Sequence, residues 1–238
     1  MKEILSAIFL AGIKIYYALK SRFTGNRIYR LLQDCFTYSY LKYFGVETEF
    51  GHVKLVGLPI IKRAEGSRIV LEKGVTLVSL SQGNVAGINH PVILATLAPG
   101  AIIRLNGCGL SGSSVCAARS IIIGKNSGLG ANASVYDTDF HAVDSGGRLV
   151  QRNIAAAEAK PVEIGDDVWV AANVLILKGV LIGSGAVIGA GSVVTSGIPE
   201  NALAAGNPAR VLRIIEPRGT DKPGNHHPAD TPPKTINE

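Results

Sequence analysis

Aromatic residues make up only 6% of this 238-residue chain, and tryptophan and methionine occur once each. An interior built on aromatic clusters is thereby excluded, and the 47% of residues that are apolar must supply an aliphatic core. Cysteine is scarce as well. Cys35, Cys108 and Cys116 form no CxxC pair and cannot all pair within one chain, which argues against a disulfide framework or a zinc cluster and for a reducing cytoplasm. A long hydrophobic run is also lacking: Ile4 to Leu19 is apolar, but Lys14 interrupts it and it falls short of the ~20 residues a spanning helix needs. Lys14, Lys20 and Arg22, with no A-x-A-like cleavage site nearby, fit a signal peptide poorly. Two readings remain for this stretch. The preferred one is a helix packed on its own protein or on a neighbouring subunit. The other lays residues 4–22 in the membrane interface as a peripheral contact, with Tyr16 and Tyr17 at headgroup level and Lys20, Arg22, Arg27 and Arg30 near anionic lipid.

What the chain has in quantity is glycine, 28 copies, and an excess of positive charge, +6 formally with a pI near 9.3. The charge favours contact with phosphates on a cofactor, a nucleic acid or a membrane, without choosing among them. The glycines belong to a repeat. From residue 164 the sequence reads IGDDVW, VAANVL, ILKGVL, IGSGAV, IGAGSV, VTSGIP without a break, so that Ile164, Val170, Ile176, Ile182, Ile188 and Val194 each open a hexad. Neither a helix nor a simple strand has a period of six. A chain that runs straight, turns a corner and does so three times per circuit does, and it stacks residues 18 apart: Ile164 on Ile182, Val170 on Ile188, Ile176 on Val194. Stacked coils would lie ~4.8 Å apart and bond backbone to backbone as in a parallel sheet. β-branched residues suit the inward columns because their stiff χ1 costs little to fix. Gly165, Gly179, Gly183, Gly185 and Gly191 fall at or near corners, where a side chain would crowd or φ must be positive.

Weaker hexads begin at Leu71, Leu97, Ile123 and Leu129, and the frame through Ile103, Gly109, Val115 and Ile121 slips by two to Ile123, which suggests a bulged corner. The prism therefore runs from about residue 50, within a domain of residues 46–199. Its one long interruption is an excursion loop at residues 136–163, and a loop of that length in a compact solenoid is usually functional or disordered. Residues 1–45 read as a helical segment whose second helix spans about Asn26 to Phe44 and covers the first coil's open edge or serves association. Residues 200–215 read as a closing segment, and 216–238, rich in proline and polar residues, as a disordered tail.

The stretch DTDFH, followed by KPVEIGDDVWVAANVLILKGVLIG and VIGAGSVVTSGIPENALAAGNPARVLR, resembles the hexapeptide-repeat acyltransferases, in particular the maltose and galactoside acetyltransferase branch and bacterial capsule or exopolysaccharide O-acetyltransferases. The resemblance spans roughly Leu71 to Ile215. It implies an all-β solenoid, a left-handed parallel β-helix; the handedness comes from the resemblance alone, since general connection rules favour right-handed crossovers. It also implies acetyl-CoA as co-substrate, no metal, a carbohydrate acceptor in surface polysaccharide or glycolipid biosynthesis, and a cytoplasmic homotrimer with each active site between neighbouring prisms. Nucleic acid is not among the implied partners.

Acyl transfer from a thioester to an alcohol needs a base, donors for the oxyanion and a slot for the pantetheine arm. By this resemblance His141 is the base, since neutral imidazole accepts a proton near pH 7; Asp137, Asp139, Asp144 or a backbone carbonyl would fix its tautomer, with Asp139 the first choice. An exposed histidine in an acidic turn is the plain alternative. Trp169 flanks the acyl-CoA channel or merely fills a corner. Ala171 and Ala172 are the expected oxyanion donors, while Ala172, Gly189 and Ala190 are small enough for pantetheine to lie against. Arg210 and Arg213 meet the nucleotide phosphates through their planar forks, unless they are solvated charge. Thr195 and Ser196 line the same slot, Ser196 standing where relatives carry lysine. Ser111, His90 and Asp137 are candidate acceptor contacts, with a plain turn preferred for His90. A small-molecule acceptor such as a free sugar, an amino acid or an antibiotic, and a non-catalytic binding scaffold, remain as alternatives. A zinc carbonic anhydrase on the same prism needs three histidines around one metal, and His52, His90, His141, His226 and His227 show no such spacing.

Overall fold

The computed structural model describes residues 27–142 and 157–216. The apolar stretch at 4–22, Asp144, the paired histidines 226 and 227 and the tail beyond Glu216 lie outside these described residues. A helix, α1 (Arg27–Tyr43), comes first, matching the expected second helix. The chain then lays one strand on each side of a triangle, β1 (Val53–Val56), β2 (Ile60–Arg63) and β3 (Arg68–Leu71), and repeats the circuit. Next come β4 (Val75–Val78), β5 (Ile93–Thr96) and β6 (Ile102–Leu105), then β7 (Gly109–Ser111), β8 (Ser114–Ala117) and β9 (Ser120–Ile123). They are followed by β10 (Gly128–Leu129), β11 (Ser134–Tyr136) and β12 (Val162–Ile164), then β13 (Trp169–Val170), β14 (Leu175–Ile176) and β15 (Leu181–Ile182). The last turn is β16 (Val187–Ile188) and β17 (Val193–Val194), closed by a hairpin of β18 (Ala202–Gly206) and β19 (Ala209–Ile214).

Every third strand pairs in parallel with its predecessor, which gives three sheets: β1-β4-β7-β10-β13-β16-β18-β19 on the first side, β2-β5-β8-β11-β14-β17 on the second, β3-β6-β9-β12-β15 on the third. This is the left-handed parallel β-helix. The expected register is met where the hexads are strict: Ile164 pairs with Ile182, Val170 with Ile188 and Ile176 with Val194. These six side chains are all buried, in columns continued by Ile123, Leu129 and Val135. Each such aliphatic side chain contributes about 1.5–3 kcal/mol by leaving water. The core is accordingly one contiguous aliphatic column running from Tyr40 to Ala209.

The corners separate two kinds of glycine. Gly185 has φ +70° and shares its corner column with Asn126, Asp167 and Asn201, all with positive φ, so this column admits only residues that tolerate the left-handed region. Gly165 keeps an ordinary φ, but a Cβ there would lie 2.7 Å from the backbone nitrogen of Ser184 on the next coil. Crowding, not chirality, requires it.

Two expectations change. Ile121 and Ile123 are both buried on the single strand β9, pairing with Val162 and Ile164, so the apparent frame slip is a four-residue strand pointing alternate side chains inward and not a bulged corner. A second excursion, shorter than the first, runs between β4 and β5 through the Gly- and Asn-rich GNVAGINHP. Asn132 of a later coil ties it down, accepting from the Asn89 N–H at 2.7 Å and donating to the Gly87 carbonyl at 3.4 Å.

At the open end α1 covers the first coil. Leu41 is fully buried, and the Tyr40 hydroxyl donates to the Pro59 carbonyl at 2.6 Å while burial raises its pKa to about 12. Glu47 extends the third sheet by a parallel bridge to Val70, and its carboxylate takes a two-pronged ion pair from Arg68 at 2.5 and 2.7 Å. The exposed edge is thereby blunted. Among the described residues no helix is long and apolar enough to cross a membrane.

Candidate functional site

The excursion after β11 starts with DTDFH, and its two acids do different things. Asp137 is fully buried, and its carboxylate accepts the backbone N–H groups of Ala118, Arg119 and Ser120 at 2.6–2.7 Å, which pins the corner of the preceding coil. Burial holds its carboxyl above the usual range, against the pull of those donors. An acceptor sugar cannot reach it within this chain, so Asp137 is a corner-holding residue and not an acceptor contact. Asp139 is the half-buried partner of Lys178, which also pairs with Glu158 at 2.8 Å. Its Oδ2 is thus held by Lys178, and no contact between its carboxylate and the His141 ring occurs among the described residues.

Lys178 was missed by sequence reasoning because a lysine within ILKGVL reads as a solvated charge. It joins both ends of the excursion, Asp139 on the way out and Glu158 on the way back. Lys160 adds a second cation on Glu158 at 2.8 Å, and Lys160 together with Lys178 draws the Glu158 carboxyl down to about 2. The same pairing raises the pKa of Lys178, through Asp139 first and Glu158 second. Backbone bonds reinforce the base: Thr138 bridges Ala159, and the Lys160 N–H reaches the Asp137 carbonyl at 2.9 Å.

Between clamp and histidine stands Phe140, with φ +60° and its ring edge-on to Tyr136 at 5.2 Å. A bulky residue in the left-handed region costs on the order of 1–3 kcal/mol and persists only where its surroundings over-determine it. His141 follows, exposed and without a hydrogen-bond partner among the described residues.

The other expected residues lie elsewhere on the triangle. Ala171 and Ala172 follow β13 at the corner between the first and second sheets, as do Gly189 and Ala190 after β16, Ser111 at the end of β7 and His90 in the second excursion. Thr195 and Ser196 follow β17 at the corner between the second and third sheets, the one from which His141 emerges. Thus Thr195 and Ser196 do not share a slot with Ala172 and Gly189 on one chain. His90 is half-buried and its Nδ1 lies 2.8 Å from the Pro91 carbonyl oxygen, a local turn contact.

On the first corner, successive coils place Gly130, Ala171, Gly189 and Ala205 side by side, one residue beyond the paired Leu129, Val170, Ile188 and Ala204. A Cβ at Gly189 would meet that of Ala205 at 2.9 Å, and one at Gly130 would meet the Ala172 nitrogen at 2.9 Å. The strip is therefore closed to larger side chains. It ends on Arg210, which pairs with Ala205 in the closing hairpin, while the neighbouring outward row runs Gly128, Trp169, Val187, Leu203 and Arg213. Trp169 is 52% exposed with its ring laid over Gly128. Both arginines are exposed. The hairpin is tied back by the buried Ser192 hydroxyl, which donates to the Gly189 carbonyl at 2.6 Å and accepts the Gly206 N–H at 3.1 Å.

One expected oxyanion donor is unavailable: the Ala171 N–H donates to the Ile188 carbonyl at 3.0 Å as part of the ladder. The Ala172 N–H, at the turn itself, has no acceptor among the described residues. It remains the candidate donor.

The chain is similar to several known proteins. Residues 161–196 match the family model of the bacterial transferase hexapeptide, six repeats. A candidate acetyltransferase of Saccharomyces cerevisiae is 46% identical over 96 residues, 40% of this chain and 46% of that protein. One of Dictyostelium discoideum is 44% identical over 95 residues, 40% of this chain and 47% of that protein. The chain thus spans a little under half the length of the curated relatives it matches. Among solved structures, a hexapeptide-repeat acetyltransferase of Vibrio cholerae O1 biovar eltor, determined with acetyl coenzyme A, is 20% identical, with 89% of each chain covered and a TM-score of 0.48.

Proposed function

We propose that this chain, a left-handed parallel β-helix whose residues 161–196 match the bacterial transferase hexapeptide model, is a member of that family and moves an acetyl group from acetyl-CoA to a sugar hydroxyl. The observation that carries the reading is the closed strip Gly130, Ala171, Gly189, Ala205, flanked by exposed Trp169 and ending on Arg210. A thin pantetheine arm fits such a strip, and an arginine fork at its end suits a phosphate. Acetyl-CoA, when bound, supplies the thioester carbonyl. His141 takes the proton of the attacking hydroxyl and returns it to the departing sulfur, and the Ala172 N–H donates to the carbonyl oxygen as charge builds there. The protein is a cytoplasmic enzyme of surface polysaccharide or glycolipid biosynthesis.

The separation of the parts bears on assembly. His141, Thr195 and Ser196 occupy one corner of the prism and the strip another, with the width of the second sheet between them. A site that uses both is completed by a neighbouring copy, so the active form is a homotrimer with three shared sites. Light scattering that found a fully active monomer would overturn this.

The decisive experiment uses the chain's single tryptophan. Acetyl-CoA titration should change Trp169 fluorescence in both the parent and His141→Ala, whereas thioester turnover should fall by ~10²–10⁴ in the variant alone. No fluorescence response would reduce the protein to a scaffold, and near-normal turnover would remove His141 from its role.

A further inference from the structure

Between α1 and the outer face of the first two coils lies a cavity of about 590 Å³ that the acetyl-transfer residues do not touch. Arg30 enters it from the helix, Lys54 from β1 and Lys73 from the corner before β4, against the single carboxylate of Asp34. None of the three cations forms an ion pair among the described residues. Arg68, Arg104, Lys160 and Lys178, by contrast, are each paired with a carboxylate. Three unpaired cations around one concavity form a site of positive potential, and the hydroxyl of Thr76 among them adds a neutral polar contact. A cavity of this size lies within the range of organic-ligand sites and is far larger than one bare anion fills.

The register connects the cavity to the transfer site. Lys54 pairs with Thr76, Thr76 with Gly109, Gly109 with Gly128 and Gly128 with Trp169, so all five occupy one outward-facing row of the first sheet. At four strand spacings the row covers roughly 19 Å. Its middle is bare: Gly109 has no side chain, and a Cβ built there would meet nothing within 4 Å. Along this row only Gly109 and Gly128 stand between Thr76 and Trp169, and neither carries a side chain.

We propose that this cavity binds the acidic group, phosphate or carboxylate, of a saccharide whose remaining rings lie over the Gly109 row toward Trp169. The binding site stands on the cavity and its charges; the identification of the saccharide as the acetyl acceptor rests on the acetyl-transfer reading above. Such a site selects acidic over neutral sugars, because a neutral sugar leaves the three cations uncompensated.

The test is calorimetric titration of the full chain with glucose 1-phosphate, glucuronic acid, glucose and inorganic phosphate, repeated on the double variant Lys54→Gln/Lys73→Gln. Both lysines are exposed and their side chains form no hydrogen bond or ion pair among the described residues, so the variant should fold as the parent does. We expect the two acidic sugars to bind, glucose to bind about tenfold more weakly or worse, and the acidic-sugar affinity to drop about tenfold in the variant and with added salt. The Trp169 response to acetyl-CoA should be the same in both proteins. Glucose binding as tightly as its phosphate, or an undiminished affinity in the variant, would overturn the site. Inorganic phosphate binding as tightly as glucose 1-phosphate would overturn its assignment to a saccharide. Acidic sugars that bind normally while acetyl-CoA gives no response would leave this site standing and refute the transfer reading.

Discussion

Three consecutive isoleucines, Ile121, Ile122 and Ile123, allow one substitution to be compared at three positions of identical chemistry. Ile121 stacks between Ile103 and Val162, and Ile123 between Leu105 and Ile164; both are 0% exposed. Ile122 points the other way, between Arg104 and Glu163, and is half-buried. Truncating a buried isoleucine to alanine loses its transfer free energy and leaves a void, together about 2–5 kcal/mol. Taking about 3 kcal/mol, and about 2–4 °C per kcal/mol for a chain of this size, Ile121→Ala and Ile123→Ala should each lower the melting temperature by about 6–12 °C. Ile122→Ala opens no enclosed void and should cost about 1 kcal/mol, or about 2–4 °C. Strand β9 joins the coils before the long excursion to those after it, so a void there is felt on both sides and no local repair is available. Circular-dichroism melts at equal protein concentration and scan rate would measure the series. Equal losses at the three positions, or the largest at Ile122, would refute the inward–outward alternation on which the fold rests.

Three further outcomes follow from the site. Lys178→Met should lower kcat/KM by ~10–100-fold through misplacement of His141, with the acetyl-CoA response of Trp169 unchanged; an unaltered rate would show that the clamp does not position the base. Arg210→Ala should raise the KM for acetyl-CoA by about 10–100-fold and leave its kcat near normal, as expected for loss of one charge-assisted phosphate contact. Of the three thiols, Cys35 is exposed, whereas burial raises Cys108 to about 12 and burial, with the Asp137 charge second, raises Cys116 to about 11. A raised pKa withholds the reactive thiolate until the solution is strongly alkaline, so at pH 8 a disulfide reagent should modify one thiol per chain quickly and the other two only on unfolding.

The C-terminal coils were legible because each strand there is only two residues long and every corner takes the same number of residues, so a strict period reaches the surface of the sequence. In the earlier coils most strands lengthen to three or four residues, and two inward positions such as Ile121 and Ile123 sit on one strand; hexad counting takes that for a slip. The excursion holding His90 was hidden because a Gly- and Asn-rich segment between two weak hexads has no period to lose. At the site, the motif brought His141, Trp169 and Arg210 into view, but composition could not separate Asp137 from Asp139. Three backbone donors from a neighbouring coil claim one and a lysine from a later coil claims the other, and both choices are made by stacking. The unavailability of the Ala171 N–H has the same origin, since a ladder bond depends on what lies one coil above.

The first long excursion leaves and re-enters at a corner, and β12 resumes its place on β9 without a shift. Closure entropy rises only slowly with the number of residues added between fixed ends. Lengthening or rewriting that insertion therefore leaves the column beneath it almost untouched, so recognition can diversify in this protein at little risk to its folding.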